Sequence, residues 1–339
     1  MLDYKKLIRI GIDRLVLYNF EVLRSPPMGK TDTQLYLEEY VRVKDELFSL
    51  DSTIRLYADG RLTEYKSLSF NPNRILYGHN IYNSRPEDIQ LAIECLKKML
   101  FLKGIEIDLT NAKIEELEVN FNFNIDFLEY TEVFTSLFIK QKQFKKTSEG
   151  SKSTSYKNIY KDQTISSNLK TSRVQIYDKT KEINNPNLLS EKITRLEWWF
   201  HNSVYHYFIK RYSLDNKLNT LLKNFHILEE LFLDKTKKEL LKKGFEFLNN
   251  ELKPTLERKY IDFKRTNRFA KSKGSKQKRD VYKYLEKEVW IFDYLYLLEI
   301  VEKHDKAHLT REKQRIIKKY KQHDGIEKLS YFRSFLFNH

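Results

Sequence analysis

The chain has 339 residues, of which 40% are hydrophobic, with nine Gly and six Pro, a composition that allows a buried core built from long regular elements and argues against a loop-rich structure. Its formal net charge of +15 points to a polyanionic partner, nucleic acid before an anionic membrane surface. Cys95 is the only cysteine, which excludes an intramolecular disulfide and a thiolate zinc cluster, and no stretch approaches the roughly 18 consecutive apolar residues of a spanning helix.

In chain order, residues 10–20 (IGIDRLVLYNF) read as a strand. Ile54–Ala58 and Leu62–Phe70 read as a hairpin, because Asp59-Gly60 supplies a turn with positive φ. Pro86 opens a helix at a tolerated first-turn position, and Ile89, Leu91, Ile93, Leu96 and Leu100 carry it to Gly104. Cys95 lies in that amphipathic run as a core thiol. Residues 114–124 alternate, with Leu117, Val119, Phe121 and Phe123 on one face and Glu116, Glu118, Asn120 and Asn122 on the other. Residues 131–146 read as a helix with a basic end, followed by a Ser/Lys/Gly loop over Ser148–Ser155.

Two further strands follow. In Arg173–Tyr177, Val174 and Ile176 point inward, while Arg173, Gln175 and Tyr177 point outward. In Ile193–His201, Leu196, Trp198 and Phe200 share one face, with Arg195, Glu197, Trp199 and His201 on the other. Helices are expected over 214–250, 254–268, 280–304, 310–323 and 325–337, with Lys271–Arg279 (KSKGSKQKR) as a basic linker. The expected architecture is therefore α+β: an antiparallel-sheet domain over residues 1–212 and a basic helical region over 213–339.

The charge is concentrated. Lys140–Lys181 holds 11 basic and 3 acidic residues, and Glu251–His339 holds 23 and 13. These segments read as phosphate-backbone contacts. The candidate DNA contacts are Lys142, Lys145, Lys146, Lys152 and Arg173 in the first, and Lys271, Lys273, Lys276, Lys278 and Arg279 in the second. Tyr156, Tyr160 and Phe144 lie nearby and serve either base stacking or core packing. His304 and His308 have a spacing that can bind metal, but with no third ligand they read as a solvated face.

If the three strands are neighbours, Glu118, Tyr177 and Glu197 share one exposed sheet face. Such a face is either solvated or a site. Carboxylate oxygens suit Mg²⁺, and a metal beside a phosphodiester polarises it. A tyrosine hydroxyl needs help to attack, and a cation such as Lys179 would favour its phenolate.

Several segments resemble a known family. Residues 68–83 (LSFNPNRILYGHNIYN), with an Arg-Ile-Leu-x-Gly-His-Asn core, are similar to a segment of the filamentous-phage gene II replication proteins. So are GIDRLVL (11–17), the stretch from Ser151 to Thr180 ending in SRVQIYDKT, and ITRLEWWF (193–200). Staphylococcal rolling-circle plasmid initiators resemble the chain more distantly, through FNPN (70–73), the strand around Glu118, IYDK (176–179) and RLE (195–197). The resemblance spans roughly residues 10–212 and lies in the shared order of the motifs.

It implies a rolling-circle initiator that nicks and rejoins one DNA strand through a 5′-phosphotyrosine link. Tyr177 matches the nucleophile and Lys179 the lysine that follows it. Glu118 and Glu197 become expected ligands of Mg²⁺ or Mn²⁺. Asp13, where the relatives hold an acidic residue, and His79 are further candidates. A bacterial cytoplasm, with a host helicase and polymerase acting on the product, follows from the same likeness; the first residues, with Asp3 and no long apolar run, do not read as a signal peptide. The chain departs from the wider superfamily in having no His-hydrophobe-His motif, and Asn122 stands where the plasmid initiators carry an acid. Relaxases and transposases use the same chemistry, and a non-catalytic basic nucleic-acid-binding protein is the other reading.

Overall fold

A computed structural model describes residues 4–26, 36–56, 62–130, 164–168, 171–185 and 191–242, plus positions 134, 254, 257, 258, 261, 262, 265, 303, 304, 328, 331, 332 and 334. The chain forms two units: Met1–Asp126 with Ile159–Asp234, and Phe127–Asn158 with Lys235–His339. The division expected at residue 212 thus falls within the first unit.

The first unit is built on strands. In order they are β1 (Gly11–Tyr18), β2 (Glu21–Arg24), β3 (Tyr36–Lys44), β4 (Phe48–Leu56), β5 (Leu62–Phe70), β6 (Glu106–Asp108), β7 (Lys113–Phe123), β8 (Thr164–Asn168), β9 (Ser172–Asp178) and β10 (Thr194–His201). Eight make one sheet in the order β3-β4-β5-β1-β7-β10-β9-β8, while β2 and β6 pair separately. Every pairing is antiparallel. The fold is therefore α+β, as the sequence pattern implies.

The alternating strands behave as their patterns require. Leu117, Val119, Phe121 and Phe123 of β7 and Leu196, Trp198 and Phe200 of β10 are buried. The hairpin pairs Leu56 with Leu62 but runs back to Phe48 paired with Phe70, well beyond the expected start at Ile54. Within the described residues, β3 is an addition that its sequence, YLEEYVRVK, does not announce.

Short helices occupy the connections: α1 (Tyr4–Leu7), α2 (Pro72–Tyr77), α3 (Pro86–Leu102), α4 (Lys179–Ile183), α5 (Asn202–Ile209), α6 (Leu218–Lys223) and α7 (Phe225–Lys235). Asn71 caps α2 by accepting from Arg74 N at 3.0 Å, and Gly78 ends it at φ 73°. In α3, Pro86 fills the first turn and Asp88 accepts from Arg85 N at 3.1 Å, while Ile89, Ala92, Leu96 and Leu100 are buried. The single helix expected over 214–250 is interrupted instead, with α6 ending at Asn224, whose backbone (φ −121°, ψ 41°) leaves the helical region before α7 begins.

The segment 79–84 packs against the start of β1. Ile12 and Ser84 exchange backbone hydrogen bonds, and a Cβ on Gly11 would stand only 2.6 Å from Asn83 C. Leu7, Ile81 and Ile193 form a fully buried cluster beside it.

In the second unit, Phe134 packs between Tyr130, at 5.9 Å between ring centroids, and Phe332, at 5.4 Å. The described residues of the later segments are helical. His304 Nε2 hydrogen-bonds Glu257, and His308 lies outside the described residues.

Candidate active site

β7, β10 and β9 are consecutive in the sheet, which brings the expected residues onto neighbouring strands. Glu197 pairs with Asn120 of β7 and with Gln175 of β9; Arg195 pairs with Tyr177. Asp13 sits at an irregularity of β1 between Ile12 and Arg14, opposite β7. Asp13, Glu118, Glu197, Tyr177 and Arg173 all line one cavity of about 620 Å³.

The face is not the exposed polar surface that alternation suggests. Tyr177 is 7% exposed and Glu197 4%. The turn after β3 and the segment 71–80 contribute further lining, including Leu47, Asn71, Arg74 and Asn80. Alternation reports which side a residue faces, and tertiary packing decides whether water reaches it.

Tyr177 Oη donates to Glu197 Oε2 at 3.2 Å, and Gln175 Nε2 donates to Glu197 Oε1 at 2.7 Å. Burial, reinforced by the Glu197 charge, pushes the Tyr177 phenol well above its ordinary value, while Arg195 opposes the shift. Burial and the charges of Asp13 and Glu118 push the Glu197 carboxyl up to about 8. A carboxyl in that range takes up and returns a proton near neutral pH. Glu118 is raised by burial and by Asp13, against the pull of Arg14, which pairs with it at 3.3 Å.

Arg195 is fully buried and organises this corner. It donates from Nε to Asn122 Oδ1 at 2.7 Å, from Nη2 to Ile81 O at 2.7 Å, and from Nη1 to Asp13 Oδ1 at 3.2 Å. Asn122 in turn donates to Leu7 O and Ile81 O, each at 3.0 Å. An acid at this position would set carboxylate oxygen against two carbonyls. Asn83 donates to Leu7 O at 2.9 Å and accepts from Asn122. The segment that follows Gly-His-Asn, with Ile81 and Asn83, thus works as a clamp on Arg195.

Two residues sit differently from their expected roles. Lys179 is fully buried, and its Nζ pairs with Glu182 at 2.5 Å, 5.7 Å from the Tyr177 ring centre. Burial, then the nearby Arg195 charge, lowers it to about 8. The cation that opposes the rise of the phenol is Arg195. His79 does not appear in the cavity wall; its Nδ1 accepts from Ile81 N at 3.4 Å, and its ring stacks on Tyr77. Sequence reasoning missed Gln175 and Glu182 as members of the site; the signal for Gln175 was its shared face with Tyr177, and for Glu182 its position one turn after Lys179.

Lys142, Lys145, Lys146, Lys152, Lys271, Lys273, Lys276, Lys278 and Arg279 lie outside the described residues, as do Phe144, Tyr156 and Tyr160. Arg173 is exposed and lines the cavity.

The hard oxygen donors that Mg²⁺ prefers are present in Asp13, Glu118 and Glu197, and burial, with repulsion from the other two carboxylates, raises the pKa of Glu197. Among the described residues, no three His, Cys, Asp or Glu side chains come together as a ready-made metal cage. Mg²⁺ seldom needs one, because it is usually held by one or two carboxylates with substrate phosphate oxygens and water.

No family model and no curated protein sequence matches the chain. Among solved structures it is similar to the rolling-circle replication initiator protein from Geobacillus stearothermophilus, at 11% identity, covering 68% of this chain and 85% of that one with a TM-score of 0.31. Among the described residues no helix is long and apolar enough to cross a membrane.

Proposed function

We propose that this chain is a replication initiator that nicks and rejoins one strand of DNA at an origin, with Tyr177 as the nucleophile. The observation that carries the reading is the hydrogen bond from Tyr177 Oη to Glu197 Oε2 in the wall of a carboxylate-lined cavity. The resemblance of residues 10–212 to the gene II initiators supports it.

In the nicking step Tyr177 Oη attacks the scissile phosphorus. The Oη–P bond forms, the P–O3′ bond breaks, and the phenol proton passes to Glu197 Oε2. The departing 3′ oxygen takes a proton from water, giving a 3′-OH that primes synthesis and a 5′-phosphotyrosine link. The energy of the broken diester is kept in that link, so attack by a 3′-OH reverses the step and rejoins the strand. Arg173 is assigned to the phosphate and Arg195 to positioning Asp13 and Tyr177. Lys179 acts on the phenol through its packing and its pairing with Glu182. A divalent ion, Mg²⁺ or Mn²⁺, would neutralise charge at the phosphate oxygens when bound. Glu118 and Asp13 are assigned to hold it, because both oxygens of Glu197 are engaged by Tyr177 and Gln175.

The partner is DNA, with a host helicase and polymerase acting on the freed 3′-OH. The test is incubation of the full chain with a supercoiled plasmid bearing its own origin and Mg²⁺, followed by a denaturing gel. A nick with a covalent protein–DNA adduct is expected. Binding with neither would favour the non-catalytic reading.

A further inference from the structure

Two sides of the sheet make claims on the oxygens of Glu197. Its strand, β10, lies between β9 and β7, about 4.8 Å from each. On β9, Gln175 and Tyr177 are two residues apart and so share a face. Gln175 stands directly opposite Glu197, and Tyr177 stands on the diagonal, opposite Arg195. On β7, Glu118 takes the other diagonal, opposite Trp199. Asp13 comes from β1, the strand beyond β7. All five side chains line the same cavity.

On the β9 side two donors hold the carboxylate. Gln175 Nε2 donates to Oε1 at 2.7 Å, and Tyr177 Oη donates to Oε2 at 3.2 Å. The amide contact is the shorter, and the amide must present its nitrogen here, because its oxygen would meet a carboxylate oxygen. Glu197 is buried, so its oxygens depend on protein donors. The choice of a neutral donor also has a consequence. A lysine or arginine opposite Glu197 would hold Oε1 by charge and weaken the carboxylate as a proton acceptor. Glutamine fixes the orientation with less loss of basicity.

On the β7 side stand the other two carboxylates, whose charges act on Glu197. Among the described residues no three such groups meet as a cage. Without its amide donor, Oε1 of Glu197 is a buried acceptor, and a divalent ion beside Glu118 and Asp13 is the partner that would satisfy it. We infer that Gln175 is a positioning residue that reserves Glu197 for Tyr177 and keeps it out of the ligand set of a divalent ion. This rests on the strand-transfer reading of Tyr177, and it adds how three neighbouring carboxylates are divided between proton transfer and metal.

The test uses the full chain carrying Gln175→Met, which keeps the length of the side chain and removes the donor. Mn²⁺ binding in the absence of DNA is read from the electron paramagnetic resonance signal of the free ion, and nicking of the supercoiled origin plasmid is read on a denaturing gel. Mn²⁺ is expected to bind about tenfold more tightly, because a third carboxylate joins the ligands. Nicking at saturating metal is expected to fall about 10–100-fold, because the proton acceptor has turned away from the phenol. The gain in affinity should vanish when Glu197→Gln is added, since the two side chains act as a unit. Urea unfolding checks the fold, and Gln175→Leu repeats the measurement if the methionine disturbs the sheet.

A glutamine that merely packs would leave metal affinity unchanged or lower it together with nicking. Unchanged or weaker Mn²⁺ binding by the folded variant would therefore overturn the inference. So would a gain that persists with Glu197→Gln, or undiminished nicking by Gln175→Met. Failure here is distinct from failure of the nicking reading. A wild-type adduct with no gain in Mn²⁺ affinity removes the role of Gln175 alone. A gain that depends on Glu197, in a chain whose wild type forms no adduct, removes the nicking reading and leaves Gln175 as the residue that keeps Glu197 from the metal.

Discussion

At the scale of single residues, the proposed mechanism gives Glu197 and Glu118 two different jobs. Glu197 has both oxygens engaged by Tyr177 and Gln175, whereas Glu118 meets Arg14 at the cavity wall. Glu197→Gln cannot take the phenol proton and is expected to slow nicking by about 10²–10⁴-fold at every Mg²⁺ concentration, the usual range for a lost proton acceptor. Glu118→Gln should show a loss that added metal restores. Equal rescue of both in a metal titration would make Glu197 a ligand instead. Arg195 belongs to this scale too. Its removal strands the buried Asp13, Asn122 and Asn83 together. Arg195→Met should destabilise the sheet unit by about 3–5 kcal/mol, the cost of breaking a buried pair from one side. Urea unfolding followed by tryptophan fluorescence reads it, and a loss below 1 kcal/mol would mean the clamp is not structural.

At the scale of elements, the clamp depends on how closely segment 79–84 approaches β1. Gly11→Ala would put a methyl 2.6 Å from Asn83 C. Overpacking of this kind typically costs about 1–3 kcal/mol, and here it would also push Asn83 away from Leu7 and Asn122. A lower urea midpoint together with slower nicking is expected; an unchanged midpoint would show that the approach is loose. The elements that were legible in the sequence are those whose signals are local. β7, β9 and β10 announce themselves by alternation, and α3 by Pro86, its apolar spacing and Gly104. β3 was not legible because YLEEYVRVK mixes charges into both faces. α2 was not, because six residues cannot show a helical period and its start depends on the cap at Asn71. The site was legible only as a shared face. That Arg195 is buried in it, and that Asn122 serves two carbonyls, depends on segments far apart in the chain.

At the scale of the whole molecule, the charge of +15 remains the most general statement about the partner. Neutralising Lys271, Lys273, Lys276, Lys278 and Arg279 should reduce affinity for many sequences alike. It should also flatten the salt dependence by roughly 0.7 to 0.9 per lost phosphate contact. Phosphate contacts carry no sequence information, so origin preference should hold. A selective loss of origin binding would mean instead that the run orders on the duplex and reads sequence. All of this is secondary to whether the chain forms a covalent bond to DNA. The most direct measurement is mass spectrometry of peptides from the chain after reaction with its origin plasmid and Mg²⁺. The expected result is a nucleotide attached through phosphate to Tyr177, lost in Tyr177→Phe while DNA binding survives. An adduct on another tyrosine, or normal nicking by Tyr177→Phe, would contradict the assignment.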